Sequence, residues 1–177
     1  MLLNKIKPWF SFFVAYFLVV TIHEGFHALI SYFFEEYQTF RIHPYGFEVI
    51  FKTPPEIRHG FSWFLISGFS NFATIFLGYI LYLCNPIVKP KNSFVKLLLF
   101  YITIILLLAD PINISIGTFF YKGDAFGIAR GLDTSVIYIQ IFGLIILLFN
   151  RELVSRYIMS FGIRVNHLLL KPWLMKK

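Results

Sequence analysis

Hydrophobic residues in this chain do not alternate with polar ones as they would on a half-buried helix or strand; they run in long blocks separated by short polar breaks. A helix needs about 20 apolar residues to cross a hydrocarbon core about 30 Å thick, and four blocks reach or approach that length. The first, residues 8–34, opens on Pro8-Trp9, a first-turn proline beside an interfacial aromatic, and is interrupted by His23, Glu24 and His27. The second, residues 61–84, is closed by Asn85-Pro86. A shorter third, residues 94–109, is predicted to stop at Asp110-Pro111, because a proline disfavours helix at the residue before it. Broken sequence follows through Asn113, Gly117 and Gly123-Asp124, and a fourth helix is predicted over residues 125–149, with its apolar centre at 136–149.

Residues 150–177 carry Arg151, Arg156, Arg164, Lys171, Lys176 and Lys177 among aliphatics and Trp173, the pattern of a basic amphipathic helix at the interface. Between the first two blocks, Phe40-Arg41-Ile42-His43 and Phe47-Glu48-Val49-Ile50-Phe51-Lys52 alternate around Pro44-Tyr45-Gly46, which predicts a β-hairpin within residues 38–53. The expected fold is an all-α polytopic membrane protein. It has about four transmembrane helices, a small β-hairpin between helices 1 and 2 and a basic amphipathic C-terminal helix. Residues 1–177 form a single membrane-embedded domain, with a core at 8–149 and a tail at 150–177.

Composition sharpens this picture. Of the 177 residues, 58% are hydrophobic and 14% charged, against about 25% charged in average globular chains, so a disordered or ordinary soluble protein is excluded. The net charge of +7 resides in side chains placed between apolar blocks and in the tail; they form no single stripe of the kind that binds nucleic acid. Eleven of the 16 basic residues fall on the side of the termini and five on the other, which puts the termini in the cytoplasm. The lone Cys84 rules out an internal disulfide framework and a cysteine-rich metal site. The first block is too long for the apolar region of a signal peptide and reads as a retained helix. The expectation is an integral, multi-pass protein of the cell membrane, with the lipid bilayer as partner and no nucleic acid.

Chemistry concentrates in the first block. His23-Glu24-Gly25-Phe26-His27 sets two imidazoles at i and i+4, about 40° apart in helical projection, so both reach one cation from one face. Glu24, about 100° around, can act on a metal-bound water without being a ligand. This is the HExxH arrangement, in which Zn²⁺ lowers the pKa of its water and the glutamate serves as general base and then proton donor. Composition alone would give the pattern about once in 200 such chains. Ionisable groups at membrane depth are costly, so three of them at metal-ligand spacing favour a zinc site over polar glue between helices.

A catalytic zinc needs a third protein ligand and an open position. Glu35, Glu36, Glu48 and Glu56 lie in the polar loop, His43 and His59 flank the hairpin, Glu152 belongs to the tail, and Asp110, Asp124 and Asp133 surround the connection from the third to the fourth helix. Asp124, with Gly123 and Ala125 as small neighbours and a position at the membrane face of His23 and His27, is the preferred ligand; Asp110, beside Pro111, is the runner-up. Asp133 can pair with Arg130 instead.

These residues resemble the site-2 protease family, the intramembrane zinc metalloproteases of peptidase family M50. The likeness rests on HEGFH in the first helix, on SGFSNFATIFLG at residues 67–78, similar to the family's asparagine-bearing second core helix, and on KGDAFGIAR at 122–130, in the place of its LDG motif. Here Gly-Phe-Ser-Asn lacks the family's proline, and Gly-Asp-Ala stands for Leu-Asp-Gly. The resemblance spans roughly residues 8–149 and implies cleavage of a transmembrane protein substrate after local unwinding. It also implies His23, His27 and Asp124 as zinc ligands, Glu24 as catalytic base and Asn71 as a substrate-binding residue holding the substrate backbone or the oxyanion. The hairpin at residues 39–52 offers an edge for strand addition. The family's usual placement of zinc near the cytosolic side points opposite to the charge count. Two other readings stand beside it: an inactive metal-binding scaffold that grips transmembrane helices, and a membrane HExxH peptidase with a later glutamate as third ligand.

Overall fold

The computed structural model describes residues 2–44, 46–85, 90–164, 167 and 170–173, with side chains from residue 6 onward. The chain forms α1 (Leu2–Phe33), the strands β1 (Tyr37–His43) and β2 (Gly46–Phe51), α2 (Phe61–Cys84), α3 (Ser93–Ser115), the short α4 (Asp124–Gly131) and α5 (Val136–Ser160). Single 3₁₀ turns lie at Pro55–Ile57 and Gly117–Phe119. The helices α1, α2, α3 and α5 are long and apolar enough to cross a membrane; the 24 residues of α2 reach about 36 Å. The expected hairpin forms between α1 and α2, its antiparallel register running from Tyr37 opposite Phe51 to His43 opposite Gly46.

The central helix is α3, packed against α1, α2 and α5, while α4 packs chiefly on α2 and β2 lies against α1. Small polar residues are interspersed in the interior: Ser11, Ser31, Ser70, Thr74, Thr103 and Ser155 are buried beside the aliphatics Ile66, Leu106, Leu107 and Val154, while Phe13, Phe76, Leu83, Ile145 and Phe149 face outward. Small residues let helix backbones approach closely where lipid, not water, is the competing solvent.

Three boundaries differ from the sequence expectation, each for an identifiable reason. The first helix begins at Leu2, so Pro8 lies inside it rather than in its first turn. The third helix runs through Pro111 to Ser115. A proline lacks the N–H that would bond the carbonyl four residues back, and the orphan here is the Leu107 carbonyl. Asn150 of α5 supplies the missing donor, its Nδ2 giving a 2.7 Å bond to Leu107 O, while its Oδ1 accepts from the Tyr79 hydroxyl at 2.7 Å.

The expected fourth helix is two helices: α4 ends in a turn where Asp133 takes a φ of 49°, and the spanning helix α5 starts afresh at Val136, with Ser135 as N-cap. That same helix continues to Ser160, so residues 150–160 extend the last long helix instead of opening an interfacial one. Among the described residues none after Ser160 is helical; residues 165, 166, 168, 169 and 174–177 of the tail lie outside them. The tail folds back on α5, with the Trp173 N–H donating to Glu152 Oε2 at 2.9 Å and the Arg151 guanidinium 3.9 Å above the Trp173 ring.

Candidate metal centre

One end of the bundle gathers the polar chemistry. The second half of α1 supplies His23, Glu24 and His27; α2 presents a stripe at Ser67, Ser70, Asn71 and Thr74, with helical spacing i, i+3, i+4, i+7; α3 brings Asp110 and Asn113. The short α4 begins on Asp124 and is held against α2 by two glycines one turn apart. A Cβ built on Gly127 would lie 1.9 Å from Ser67 Oγ, and one on Gly131 only 2.2 Å from the backbone N of Phe64. Close approach at these positions seats the start of α4 on the polar stripe of α2.

Asp124 then meets the histidine pair. His23 Nε2 lies 3.1 Å from His27 Nε2, 3.3 Å separates His23 Nε2 from Asp124 Oδ2, and 3.3 Å separates His27 Nε2 from Asp124 Oδ1. Bonds of about 2.0–2.1 Å to a tetrahedral zinc imply ligand-to-ligand edges of about 3.3 Å, so this triangle has the size of one face of such a tetrahedron. Among the described residues, His23, His27 and Asp124 form the group able to hold a metal ion.

The opposite ring nitrogens decide the protonation. His27 Nδ1 donates to the Ile66 carbonyl at 2.7 Å; a carbonyl only accepts, so the proton sits on Nδ1 and the lone pair on Nε2. His23 Nδ1 lies 3.0 Å from Asp110 Oδ1, a charge contact without aligned hydrogen-bond geometry, which again favours a proton on Nδ1. Asp110, the runner-up ligand, therefore stands behind His23 rather than beside the cation position, and Thr74 Oγ1 donates to its other oxygen. Carboxylate or carbonyl behind each imidazole is the outer-shell pattern that orients metal-bound histidines.

Asp124 Oδ2 also accepts from Asn71 Nδ2 and Asn113 Nδ2, each at 3.1 Å. Both amides favour the ionised carboxylate, the form a ligand requires. Asn71 is almost wholly buried and its amide also donates to Ser67 O at 2.9 Å; it sits behind Asp124 and does not line the cleft beside it.

That cleft, about 690 Å³, opens from the histidine pair between β2, the loop at residues 52–58, the turn at 121–123 and α4. Glu24 lines it, one of its oxygens accepting the Val49 N–H of β2 at 3.0 Å. Tyr121 lines it as well and donates from its hydroxyl to Asn113 Oδ1. Burial, then the Asp124 carboxylate, raise the Tyr121 phenol above its ordinary range, so it stays a proton donor.

The other candidate ligands stay apart. His43 pairs with Glu48 at 2.9 Å, Glu36 accepts from Thr53 N and Oγ1, and Glu152 sits with Arg151 and Arg156 on α5. Asp133 is exposed, and Arg130 bonds the Pro55 and Glu56 carbonyls rather than Asp133. Sequence reasoning passed over Ser70, whose Oγ lies 2.9 Å from His27 Nε2, and the glycines of α4. Both left signals: a polar stripe at helical spacing, and small residues four apart at 127 and 131.

Comparisons of the chain with protein-family models, with curated proteins and with solved structures find no significant match.

Proposed function

We propose that the protein is an intramembrane zinc metalloprotease of the cell membrane, hydrolysing peptide bonds of transmembrane substrates. The observation that carries this reading is the convergence of three electron-pair donors, His23 Nε2, His27 Nε2 and an Asp124 oxygen, with the imidazole protons turned outward toward Asp110 and Ile66. Such a triangle is held together by positive charge at its centre, from a shared proton or from a metal cation. A zinc ion there supplies a Lewis acid that lowers the pKa of a bound water and polarises a carbonyl. Two imidazoles and a carboxylate with one side open to a cleft are the ligand set of a catalytic rather than a structural zinc.

The chain's own groups divide the remaining work. Glu24, facing the cleft, takes the proton of the attacking water and returns it to the departing amine. Its bond from Val49 N–H aims the carboxylate and ties it to β2, whose outward edge can hold an extended peptide by strand addition. Asn71 and Asn113 fix the Asp124 carboxylate through their amides, so Asn71 orients a ligand instead of touching substrate. Peptide hydrolysis needs water, and the polar cleft beside the bundle admits it where hydrocarbon would not.

The test is metal content and cleavage together. Purified protein in detergent is expected to hold about one zinc per chain, to lose it in His23→Ala and Asp124→Asn, and to keep it in Glu24→Gln while cleavage of a membrane-embedded reporter helix stops. Equal zinc in wild type and Asp124→Asn, or unchanged cleavage by Glu24→Gln, overturns the assignment. A non-catalytic scaffold would hold the helix but leave it intact in wild type and variant alike.

A further inference from the structure

The cleft carries a second polar feature away from the metal triangle. Arg58, in the loop between the hairpin and α2, lines the cleft with its guanidinium 4.9 Å from the Phe51 ring centroid and 4.6 Å from that of Trp63. Its Nε donates to the Thr53 carbonyl at 2.9 Å, and among the described residues neither Nη has a hydrogen-bond or ion-pair partner. The plane is thus clamped by aromatic faces and one internal bond, with its two terminal nitrogens left over. A fixed guanidinium fork with spare donors matches a carboxylate, and the aromatic clamp removes the side-chain entropy that usually weakens such a pair.

The surroundings point to the same ligand. Lys52, Lys122 and Arg130 also line this outer part of the cleft. Of the acids near it, Glu48 is engaged by His43, and both Glu36 oxygens accept from Thr53, leaving Glu56 as the one carboxylate among these described residues without a side-chain bond. Four cations therefore face two cleft-lining acids, Glu48 and Glu56, once Glu24 and Asp124 are assigned to the metal side. Burial lowers the Arg58 pKa, while Glu36 and Glu56 oppose that shift, and the guanidinium remains charged at neutral pH.

We infer that Arg58 is a specificity determinant of the cleft, seating a carboxylate of the bound peptide on its two unpartnered nitrogens. This rests on the cleft being a peptide-binding site, as proposed above. The preferred substrate then carries an acidic residue in the segment drawn along β2, or ends in a free C-terminus there.

The experiment uses full-length zinc-loaded Glu24→Gln protein in uncharged detergent micelles, which binds peptide without cutting it. The probes are labelled apolar decapeptides in which one Glu is walked through the sequence, each matched with its Gln counterpart, and each with a free or an amidated C-terminus. At one position the Glu peptide, or in the second arm the free-acid peptide, is expected to bind about tenfold tighter than its neutral match. Introducing Arg58→Gln brings that ratio to about one, and Arg58→Lys, which keeps the charge but loses the fork, retains an intermediate preference. The ratio, rather than affinity alone, is the readout, because a loop that merely lost support would weaken charged and neutral peptides together. A charge ratio near one with Arg58 intact, or one unchanged by Arg58→Gln and Arg58→Lys, overturns the inference. A tenfold ratio in a protein whose wild type never cleaves upholds the subsite and sinks only the hydrolase reading.

Discussion

The bond between Asn150 and the carbonyl orphaned by Pro111 makes a quantitative test of how the bundle is held. Asn150→Leu leaves the shape of the side chain nearly intact but strands two groups, the Leu107 carbonyl and the Tyr79 hydroxyl, both bonded at 2.7 Å in the native protein. A buried group left unsatisfied costs about 1–3 kcal/mol in soluble proteins, and interhelical hydrogen bonds in membranes average about 0.6 with a maximum near about 1.7 kcal/mol. Taking the membrane scale for two groups, the expected loss is about 1–3 kcal/mol. The second perturbation is Pro111→Ala, which restores an N–H at position 111 and so gives the Leu107 carbonyl a partner of its own. In that background Asn150→Leu strands the Tyr79 hydroxyl alone, and its cost is expected to fall by about half, a coupling of about 1 kcal/mol. Reversible unfolding in mixed micelles of rising SDS content, followed by tryptophan fluorescence, reads all four corners of the cycle; Trp63 is a suitable reporter because it is buried on α2. Strict additivity, within about 0.3 kcal/mol, would refute the claim that the asparagine replaces the bond the proline removes. Because Asp110 precedes Pro111 and faces His23, zinc affinity is expected to follow the same cycle.

Three further outcomes follow from the site. Asp110→Asn is expected to keep the metal stoichiometry but weaken affinity about 10–100-fold, read by competition with a chelating dye, since the residue orients His23 from behind. Gly131→Ala drives a Cβ to 2.2 Å from the Phe64 backbone, so α4 must shift; loss of zinc without loss of helical circular dichroism is the expected signature, and full occupancy would show that Asp124 does not depend on this contact. Val49→Pro removes the N–H that holds Glu24 while leaving the metal ligands untouched, so cleavage is expected to fall about tenfold or more at constant zinc content.

The sequence by itself determined what could be read from local spacing and solvent class. Blocks of about 20 apolar residues make helices long enough to cross a bilayer, the i, i+4 histidines share a face of any helix, and the alternation around Pro44-Tyr45-Gly46 specifies a hairpin; the helices and the hairpin form. The preference for Asp124 over Asp110 was legible for the same kind of reason, since Gly123 and Ala125 leave room beside the carboxylate.

Tertiary structure alone decided the rest, because the determining partners are distant in sequence. Pro111 reads as a helix stop until a residue 39 positions on, Asn150, donates to the carbonyl it leaves free. Asp110 is the runner-up ligand by sequence, and the helix that continues past it sets its carboxylate behind His23, against Nδ1. Asn71 is buried behind Asp124 once α4, drawn in by Gly127 and Gly131, packs on α2, and its amide donates to that carboxylate. In each case the outcome depends on a contact supplied from another helix, which no window along the chain contains.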